Sequence, residues 1–385
     1  MTSPDIANNS VLAHVVDVHC HPVESSIDPR VMDTLPITIC AMATTASDQQ
    51  KVHDLAERWP DKVIPAFGYH PWFTHTIALT PPSSTEDHYR TLFLPPSAPQ
   101  SAQDAFTRLL PSLPAPHILS DLLATLRTNL TAFPNAMLGE VGIDRAARVP
   151  FPASSDSSPQ PCCTSDEDSG AASELESYHR RELSPFITPL SHQLTILEAQ
   201  LAIAVELRRN TSIHSVKAPQ LTRELLDRMA STHGTAWRRI SVDLHSCGLS
   251  PQVWIEIEKR HPNVFLSLST AINSRSTNHR ALIAACAPSR LLVESDFCNV
   301  RFCTTRTWDM VRIVAEVKCW RIEQDWGEED ENADEDKWGA VRRMEQNWLR
   351  FVKGGHEQVA KVSRKNRKTK WDEWGDSETE DEGKI

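Results

Sequence analysis

The sequence lacks the features that would place a protein in or across a membrane. No apolar run approaches the roughly 20 residues that a transmembrane helix needs. The polar first residues, from Met1 to Ser10, show no basic start followed by an apolar stretch, so we expect no secretory signal. The nine cysteines include no CxxC pair, and only Cys162 and Cys163 are adjacent. Scattered cysteines of this kind are expected to be free thiols, which predicts a cytoplasmic or nuclear protein.

A surplus of positive charge is also absent. The chain carries 40 Lys and Arg against 51 Asp and Glu, for a formal net charge of −11. This balance argues against binding of duplex DNA by bulk electrostatics. A metal site could still attract a phosphate locally, so the charge weakens a nucleic-acid hypothesis without removing it.

What the sequence does contain is a regular alternation of short apolar runs and helical patterns over its 385 residues. The runs are short and rich in β-branched residues, as buried parallel strands are. Eight of them recur at spacings too long for hairpins, and they span 15–18, 37–43, 63–68, 136–143, 211–216, 240–244, 264–269 and 291–293. The alternation predicts an α/β protein with a (β/α)8 TIM barrel, with a doubly wound sheet as the alternative.

Three stretches interrupt or follow that rhythm. We predict a barrel over 11–326 with insertions at about 80–116 and 149–173, a C-terminal helix at 336–353 and a charged tail at 363–385. Because both insertions and the tail are rich in Pro, Ser, Thr or charge, we expect them to be disordered. The basic cluster RKNRKTK of the tail could serve as a nuclear address, although charged tails are common.

The strongest chemical signal is Asp17-Val-His19-Cys-His21 in the first strand. Alternate residues of a strand point to the same side, so these three side chains are expected to face the barrel interior together. Burial of three ionisable groups costs free energy unless something compensates. A metal cation compensates directly, since neutral imidazole is a preferred ligand; a hydrogen-bonded polar cluster is the alternative.

Further polar side chains stand at the ends of other predicted strands, which barrel closure would bring together. They are His70 after the third strand, Glu140 and Asp144 in the fourth, His214 in the fifth, His245 after the sixth, and Glu294 and Asp296 after the eighth. A single histidine at a strand end is usually an ordinary polar residue. Together with the first strand, six strand ends carry such residues, and this set predicts a shared metal site.

This set of motifs resembles the TatD family of metal-dependent deoxyribonucleases, which have amidohydrolase-like barrels. The family pattern DxHxH, GxHP, GEIGLD, a histidine on strand five, a histidine on strand six and ETD is matched in order from about Val15 to Phe297. The helical run HQLTILEAQLAIA from His192 also looks like a family helix. More narrowly, the insertions and the ending ESDF resemble fungal TatD-type proteins described as interacting with an anaphase-promoting-complex subunit.

The resemblance implies a set of ligands for two divalent cations, which could be Zn, Mn or Mg. Six metal ligands are implied: His19, His21, Glu140, His214, His245 and Asp296. Glu140 would bridge the two cations, and Asp296 would orient or deprotonate the attacking water. His70, Asp144 and Asp17 would contact substrate or support the ligands.

The implied activity is hydrolysis of DNA phosphodiesters, with single-stranded DNA or DNA ends as the nucleic-acid partner. Two alternatives stay open. Hydrolases of amides, lactones or phosphotriesters often carry a lysine on strand four, where this chain has Glu140. A barrel whose main role is a protein contact in cell-cycle control, with weak or no catalysis, would use the insertions and tail.

Departures from the family pattern affect the predicted pocket rather than the predicted ligands. The sixth-strand motif reads His245-Ser246-Cys247-Gly248, which lacks the family's aromatic residue. Ser295 stands in place of threonine in the acidic motif, and Arg145 stands where the family usually has an aromatic residue after GEIGLD. Metal binding is therefore expected more firmly than nuclease activity.

Overall fold

A single eight-stranded parallel sheet forms the centre of the protein. The computed structural model describes residues 6–152, 182–274, 276–327 and 334–356. The strands follow one another in chain order around the sheet. Their bounds are β1 Val16–Cys20, β2 Thr38–Met42, β3 Val63–Phe67, β4 Met137–Asp144, β5 Thr211–Val216, β6 Val242–Leu244, β7 Val264–Leu268 and β8 Leu291–Val293.

The sheet curves until its first and last strands meet. Beyond the end of β8, the backbone N–H of Asp296 donates to the carbonyl oxygen of His19 at 2.9 Å. The backbone N–H of His21 donates to the carbonyl oxygen of Phe297, also at 2.9 Å. These bonds draw the chain after β8 against β1, and the predicted (β/α)8 barrel architecture is confirmed.

Helices surround the sheet on its outer side. The longer ones are α1 Gln49–Arg58, α2 Thr85–Phe93, α3 Gln100–Leu109, α4 Leu119–Ala132, α5 Leu190–Leu207, α6 Pro219–His233, α7 Pro251–Arg260, α8 His279–Ala285, α9 Val300–Lys318 and α10 Ala340–Lys353. Most of them pack their buried faces on outward-facing strand residues in one continuous apolar core, whereas α2 and α3 belong to a separate apolar cluster. None of the helices in the described ranges combines the length and apolar character that crossing a membrane requires.

Helix α10 closes the barrel at the N-terminal ends of its strands. Trp348 and Phe351 join an apolar cluster formed inside the barrel by residues such as Val18, Met42 and Phe265. The side-chain amide of Asn347 donates to the carbonyl oxygen of Leu291 at 2.8 Å, where β8 begins. With this end filled, the C-terminal ends of the strands provide the open mouth.

The first predicted insertion is folded, which corrects the expectation that residues 80–116 are disordered. It contains α2 and α3, and Ser84 caps α2 by accepting a hydrogen bond from the backbone of Asp87. Seven aromatic and aliphatic side chains form a separate apolar cluster there: Tyr89, Phe93, Phe106, Leu109, Val149, Phe151 and Phe186. Burial of these side chains offsets the conformational entropy that the segment loses on folding. The Pro-rich composition alone does not reveal this burial.

The other segments expected to be disordered lie outside the described residues. This applies to 153–173 of the second insertion and to the whole tail at 363–385. The described residues on either side of 153–181 pair with each other, since the N–H of Phe151 donates to the carbonyl oxygen of Glu182 at 2.8 Å.

Candidate metal centre

One buried carboxylate, that of Glu140 on β4, lies at the centre of the candidate site. Five imidazoles approach it from the ends of four different strands. The distances to Glu140 Oε2 are 3.4 Å from His19 Nε2 and 3.3 Å from His21 Nε2, and those to Oε1 are 3.1 Å from His70 Nε2, 2.8 Å from His214 Nδ1 and 2.8 Å from His245 Nε2. The structure therefore brings together residues that lie far apart in the chain.

Close contact between β4 and β5 allows His214 to reach Glu140. Gly142 pairs with His214 in the parallel register of these two strands. A Cβ atom at position 142 would collide with the carbonyl oxygen of His214. Glycine is therefore needed here for packing, because any side chain would push β5 and its histidine away.

The second nitrogen of four of these histidines faces an anchoring group. His19 Nδ1 lies 2.8 Å from Ser212 Oγ, and His214 Nε2 lies 3.3 Å from Asp144 Oδ2. The corresponding carboxylate neighbours of His21 and His245 are more distant: Glu24 Oε1 at 3.5 Å and Glu294 Oε1 at 3.7 Å. The hydrogen bonds of His19 and His214 fix those two rings and leave their other nitrogen directed at the centre, as is usual around metal-binding histidines.

His70 is oriented differently from the other four. Its Nδ1 accepts a hydrogen bond from the backbone N–H of Trp72 at 3.2 Å. Burial lowers the pKa of His70 to about 4, so the ring is neutral at physiological pH. The single ring proton then resides on Nε2 and is directed at Glu140 Oε1. His70 is thus a hydrogen-bond donor to the central carboxylate, whereas the other four histidines would offer the nitrogen that faces Glu140 to a bound cation.

Asp296 completes one side of the cluster. Its Oδ1 lies 3.4 Å from His21 Nε2 and 4.0 Å from His19 Nε2. Its backbone has a positive φ of 48°, in the left-handed region that side-chain-bearing residues rarely adopt. A strained backbone conformation persists where the surrounding contacts hold the residue in place, and residues of this kind often lie at functional sites. Burial alone would raise the pKa of the Asp296 carboxyl, but the neighbouring histidines lower it below its usual range.

The electrostatics keep Glu140 ionised. Burial would raise the pKa of its carboxyl, yet His70, His245 and His19 lower it well below the usual range. A fully buried carboxylate surrounded by imidazoles is a favourable place for cations.

The donor set fits divalent cations. His19 Nε2 and His21 Nε2 are 3.2 Å apart, and both point toward Glu140 Oε2. Two neutral imidazoles cannot face each other this closely through their lone pairs without a proton or a cation between them. Four lone-pair nitrogens with two carboxylates suit borderline cations such as Zn or Mn. The ligand atoms of His19, His21 and Glu140 also lie close enough together to hold one ion.

Asp17 does not lie where alternation along β1 would place it. The pairing of β1 with β2 shifts in register between Asp17 and Cys20, so the regular two-residue alternation is broken there. The carboxylate lies with the thiols of Cys20 and Cys303 rather than beside the imidazoles. Its Oδ1 accepts the backbone N–H of Ser295 at 2.8 Å and that of His19 at 3.3 Å. Asp17 thus supports the backbone next to two predicted ligands.

Asp144 connects three parts of the site. Its Oδ2 accepts the indole N–H of Trp72 at 2.6 Å and faces His214, while its Oδ1 accepts the backbone N–H groups of Ala146 and Ala147 at 2.6 and 3.0 Å. Burial alone would raise the pKa of Asp144, but the hydrogen bond with His214 helps to lower it to about 2. The carboxylate is therefore an anion that fixes one ring and one turn.

A chain of hydroxyl groups lies beneath His245. Ser267 Oγ lies between Asp243 Oδ2, at 2.7 Å, and Glu294 Oε2, and it can donate its one proton to only one of them. Burial raises the pKa of Asp243 to about 8. Ser246 Oγ donates to the other oxygen of Glu294. The carboxyl group of Glu294, whose Oε1 faces His245 Nδ1, is therefore in contact with two serine hydroxyls.

Reasoning from the sequence missed several of these neighbours. Glu24, Ser212 and Trp72 were not predicted, although each has a simple sequence relationship to a predicted residue. Glu24 follows His21 by three residues, Ser212 precedes His214 by two on the same strand, and Trp72 follows His70 by two. Side chains two apart on a strand share a face, which is the signal that could have found Ser212.

A cavity of about 410 Å³ opens above the cluster at the mouth of the barrel. Predicted site residues form its floor, including His70, Glu140, His214, His245 and Asp296. Its walls include Trp72, Arg148, Leu183 and Ile272. A cavity of this size accommodates a small molecule or part of a polymer.

Comparisons with known proteins point to one family. Residues 16–325 match the sequence profile of the family described as TatD related DNase. Cut9-interacting protein scn1 of Schizosaccharomyces pombe is 25% identical over 341 residues, which cover 80% of this chain and 94% of that protein. The uncharacterized deoxyribonuclease YMR262W of Saccharomyces cerevisiae is 23% identical over 292 residues, covering 74% of this chain and 83% of its own.

Solved structures that match the chain at low identity include a TatD homologue and an amidohydrolase. The TatD homologue YJJV of Escherichia coli K12 has 15% identity and a TM-score of 0.48, with 90% of this chain and 100% of that chain covered. An uncharacterized amidohydrolase of Saccharomyces cerevisiae has 12% identity and a TM-score of 0.45, with 88% and 94% covered. Because the family profile spans most of the sequence, the chain belongs to the TatD family of DNase-related proteins, and this membership supports a metal-dependent hydrolase.

Proposed function

We propose that the chain is a two-metal phosphodiesterase that cleaves DNA. The observation that carries this proposal is the position of Glu140, whose two oxygens face two different groups of histidines. Oε2 faces His19 and His21, and Oε1 faces His214 and His245. A carboxylate with one oxygen toward each ligand group has the arrangement required of a ligand shared by two cations.

The same distances divide the ligands into two sets. His19, His21 and Asp296 would hold one cation together with Glu140, and His214 and His245 would hold the other. When bound, the cations would polarise a phosphoryl oxygen and make a water molecule acidic at neutral pH. The chain's residues supply the rest of the chemistry.

Asp296 is the best candidate for the group that accepts the proton of the attacking water. Its side chain is 13% exposed and lines the cavity, whereas the side chain of Glu140 is 4% exposed. A carboxylate that reaches the cavity can contact a water placed against the substrate. His70 would hold Glu140 by its Nε2 proton, and the walls formed by Trp72, Leu183 and Ile272 would limit the access of bulk water.

The test is cleavage of single-stranded DNA by the purified full chain, with and without added Mn or Mg, for wild type and Asp296→Asn. We expect wild type to cleave and the variant to lose about 100-fold or more of kcat, because a general base contributes on that order. Asp61→Asn is a matched control, since Asp61 is exposed just before β3 at the opposite end of the barrel. A metal-loaded wild-type protein that cleaves no phosphodiester would refute the proposal.

A second function, binding of another protein, is favoured by the name of one relative. The relative from Schizosaccharomyces pombe is called Cut9-interacting protein, and 94% of it aligns with this chain. We propose that a partner related to Cut9 binds this chain independently of the catalytic cluster. The Asp296→Asn variant should then retain partner binding in a pull-down, and loss of binding would place the contact at the catalytic mouth instead.

A further inference from the structure

Three cationic side chains stand beside the mouth of the cavity, at the C-terminal ends of two neighbouring strands. Arg145 and Arg148 follow β4, Lys217 follows β5, and all three are exposed. Arg148 itself lines the cavity. The other two adjoin residues that do so: Arg145 precedes Ala146, and Lys217 follows Val216.

The backbone places these residues side by side. Asp144 pairs with Val216 in the register of β4 and β5, and the N–H of Arg145 donates to the carbonyl oxygen of Val216 at 3.1 Å. Arg145 and Lys217 are thus the next residues of two paired strands. Lys217 has a positive φ of 51°, which a side-chain-bearing residue adopts only where its surroundings impose it.

The turn that leads to Arg148 is held by the metal-site residue Asp144. Its Oδ1 accepts the N–H groups of Ala146 and Ala147, so the backbone between Arg145 and Arg148 is fixed to the same carboxylate that faces His214. The backbone that carries Arg145 and Arg148 is therefore anchored to the floor of the site through only a few hydrogen bonds.

The local charge differs from that of the whole chain. The formal net charge is −11, and three carboxylates line the cavity, those of Glu140, Asp144 and Asp296. Arg148 is the one Lys or Arg among the lining residues in the described part of the chain. Within the described ranges, neither Arg145 nor Lys217 forms an ion pair with a carboxylate. Their charge is available to a ligand at the rim.

We propose that Arg145, Arg148 and Lys217, here called the cationic rim, bind the backbone phosphates that flank the scissile bond of a single-stranded nucleic acid. Arginine and lysine neutralise phosphates by charge-assisted hydrogen bonds, and each such interaction releases a counterion. This inference rests on the proposed phosphodiesterase function. It adds that the substrate is an oligonucleotide lying across the ends of β4 and β5, rather than a lone phosphodiester or a mononucleotide.

The experiment compares two double variants on two substrates. Arg145→Glu with Lys217→Glu reverses the charge of the rim. Arg208→Glu with Arg239→Glu makes the same charge change at the opposite end of the barrel. Arg208 is a matched control for Lys217, because both residues are exposed and Arg208 also has a positive φ, of 55°. Arg208 lies before the start of β5, whereas Lys217 lies just after its end. The substrates are a fluorescent oligothymidylate and bis(p-nitrophenyl) phosphate, which has no flanking phosphates.

The rim variant is expected to lose kcat/KM on the oligothymidylate by about tenfold or more, mostly through KM, while the control variant loses less than about twofold. Hydrolysis of bis(p-nitrophenyl) phosphate should stay within about twofold of wild type for both. Binding measured by anisotropy should also become less salt-dependent, with the slope of log K against log salt reduced by about 0.7 for each phosphate that the rim no longer neutralises.

The outcomes separate the inference from the proposed function. If both double variants bind and cleave the oligothymidylate as wild type does, the cationic rim is overturned while the phosphodiesterase stands. If wild type hydrolyses neither substrate, the proposed function fails, and anisotropy still decides whether the rim binds the oligonucleotide. An equal loss on both substrates would show damage to the metal site and would overturn the inference.

Discussion

At the scale of single residues, the chemistry depends on which nitrogen of each histidine faces Glu140. Ser212 orients His19, and Asp144 orients His214, so that each would offer its centre-facing nitrogen to a bound cation. His70 presents a proton instead, because its other nitrogen accepts the N–H of Trp72. Two histidines at similar distances from the same oxygen therefore have different roles.

This difference predicts opposite results for two substitutions. His214→Asn should lose one cation per chain, because it removes a lone pair from the set around Glu140 Oε1. His70→Asn should keep the full metal content but lower kcat by about 10- to 100-fold, the usual effect of removing a partner of a metal ligand. Metal content by mass spectrometry and steady-state kinetics on the same preparations would decide. Loss of a cation from His70→Asn would show that His70 is itself a ligand.

A buried histidine outside the site should control stability in acid. Burial lowers the pKa of His75 to about 4, below the ordinary value of 6.5, and its Nδ1–H donates to the carbonyl oxygen of Trp72 at 2.9 Å. The unfolded chain therefore binds more protons than the folded one between these values. The stability contributed by the neutral ring is present above pH 6.5 and is lost as the pH falls toward 4.

The corresponding measurement is urea denaturation of metal-free protein at about pH 7 and about pH 5. The loss of unfolding free energy between the two should be smaller in His75→Asn than in wild type by about 2 kcal/mol. His117→Asn, an exposed histidine, is the control and should behave as wild type does. Equal losses in all three proteins would mean that His75 does not couple folding to protonation.

At the scale of secondary structure, the C-terminal helix is part of the barrel. Phe351 of α10 is fully buried among residues from inside the sheet, while Leu349 of the same helix is 51% exposed. Phe351→Ala should lower the free energy of unfolding by about 3–5 kcal/mol through reduced apolar burial and the cavity left behind. Leu349→Ala should change it by well under about 1 kcal/mol. Chemical denaturation measures both, and similar effects would show that α10 does not fill the barrel end.

Two strands could be predicted almost residue by residue. The run at 211–216 matches β5, Thr211–Val216, and the run at 291–293 matches β8, Leu291–Val293. Both are short and rich in β-branched or aliphatic residues, as buried parallel strands are, and polar side chains collect towards their C-terminal ends. Those polar residues include His214 and Asp296, which is why the sequence also located the candidate site.

Other elements depend on contacts that a single sequence does not reveal. The apolar residues of α2 and α3 stand among Pro, Ser and Thr, and their burial requires Val149, Phe151 and Phe186 from beyond β4. The register shift in β1 leaves no trace in the residue pattern, so alternation misplaced Asp17. The two-residue spacing from His214 could have placed Ser212 on the face of the site, but the contacts of Ser212 with His19 and of Glu24 with His21 become recognisable only once those rings have been oriented.

At the scale of the whole molecule, the barrel concentrates charge at one end. Carboxylates and imidazoles from several strand ends surround the cavity, and the apolar residues of α10 fill the opposite end. The two ends are therefore chemically distinct, which is the usual division between catalysis and stability in barrel enzymes. A chain with a net charge of −11 can bind a polyanion only if cations are gathered at that mouth.

The central claim is that Glu140 is shared by two cations. The most direct measurement is anomalous diffraction from crystals grown with manganese. We expect two peaks, one beside His19, His21 and Asp296 and one beside His214 and His245, with Glu140 between them. A single peak, or peaks away from Glu140, would contradict the claim.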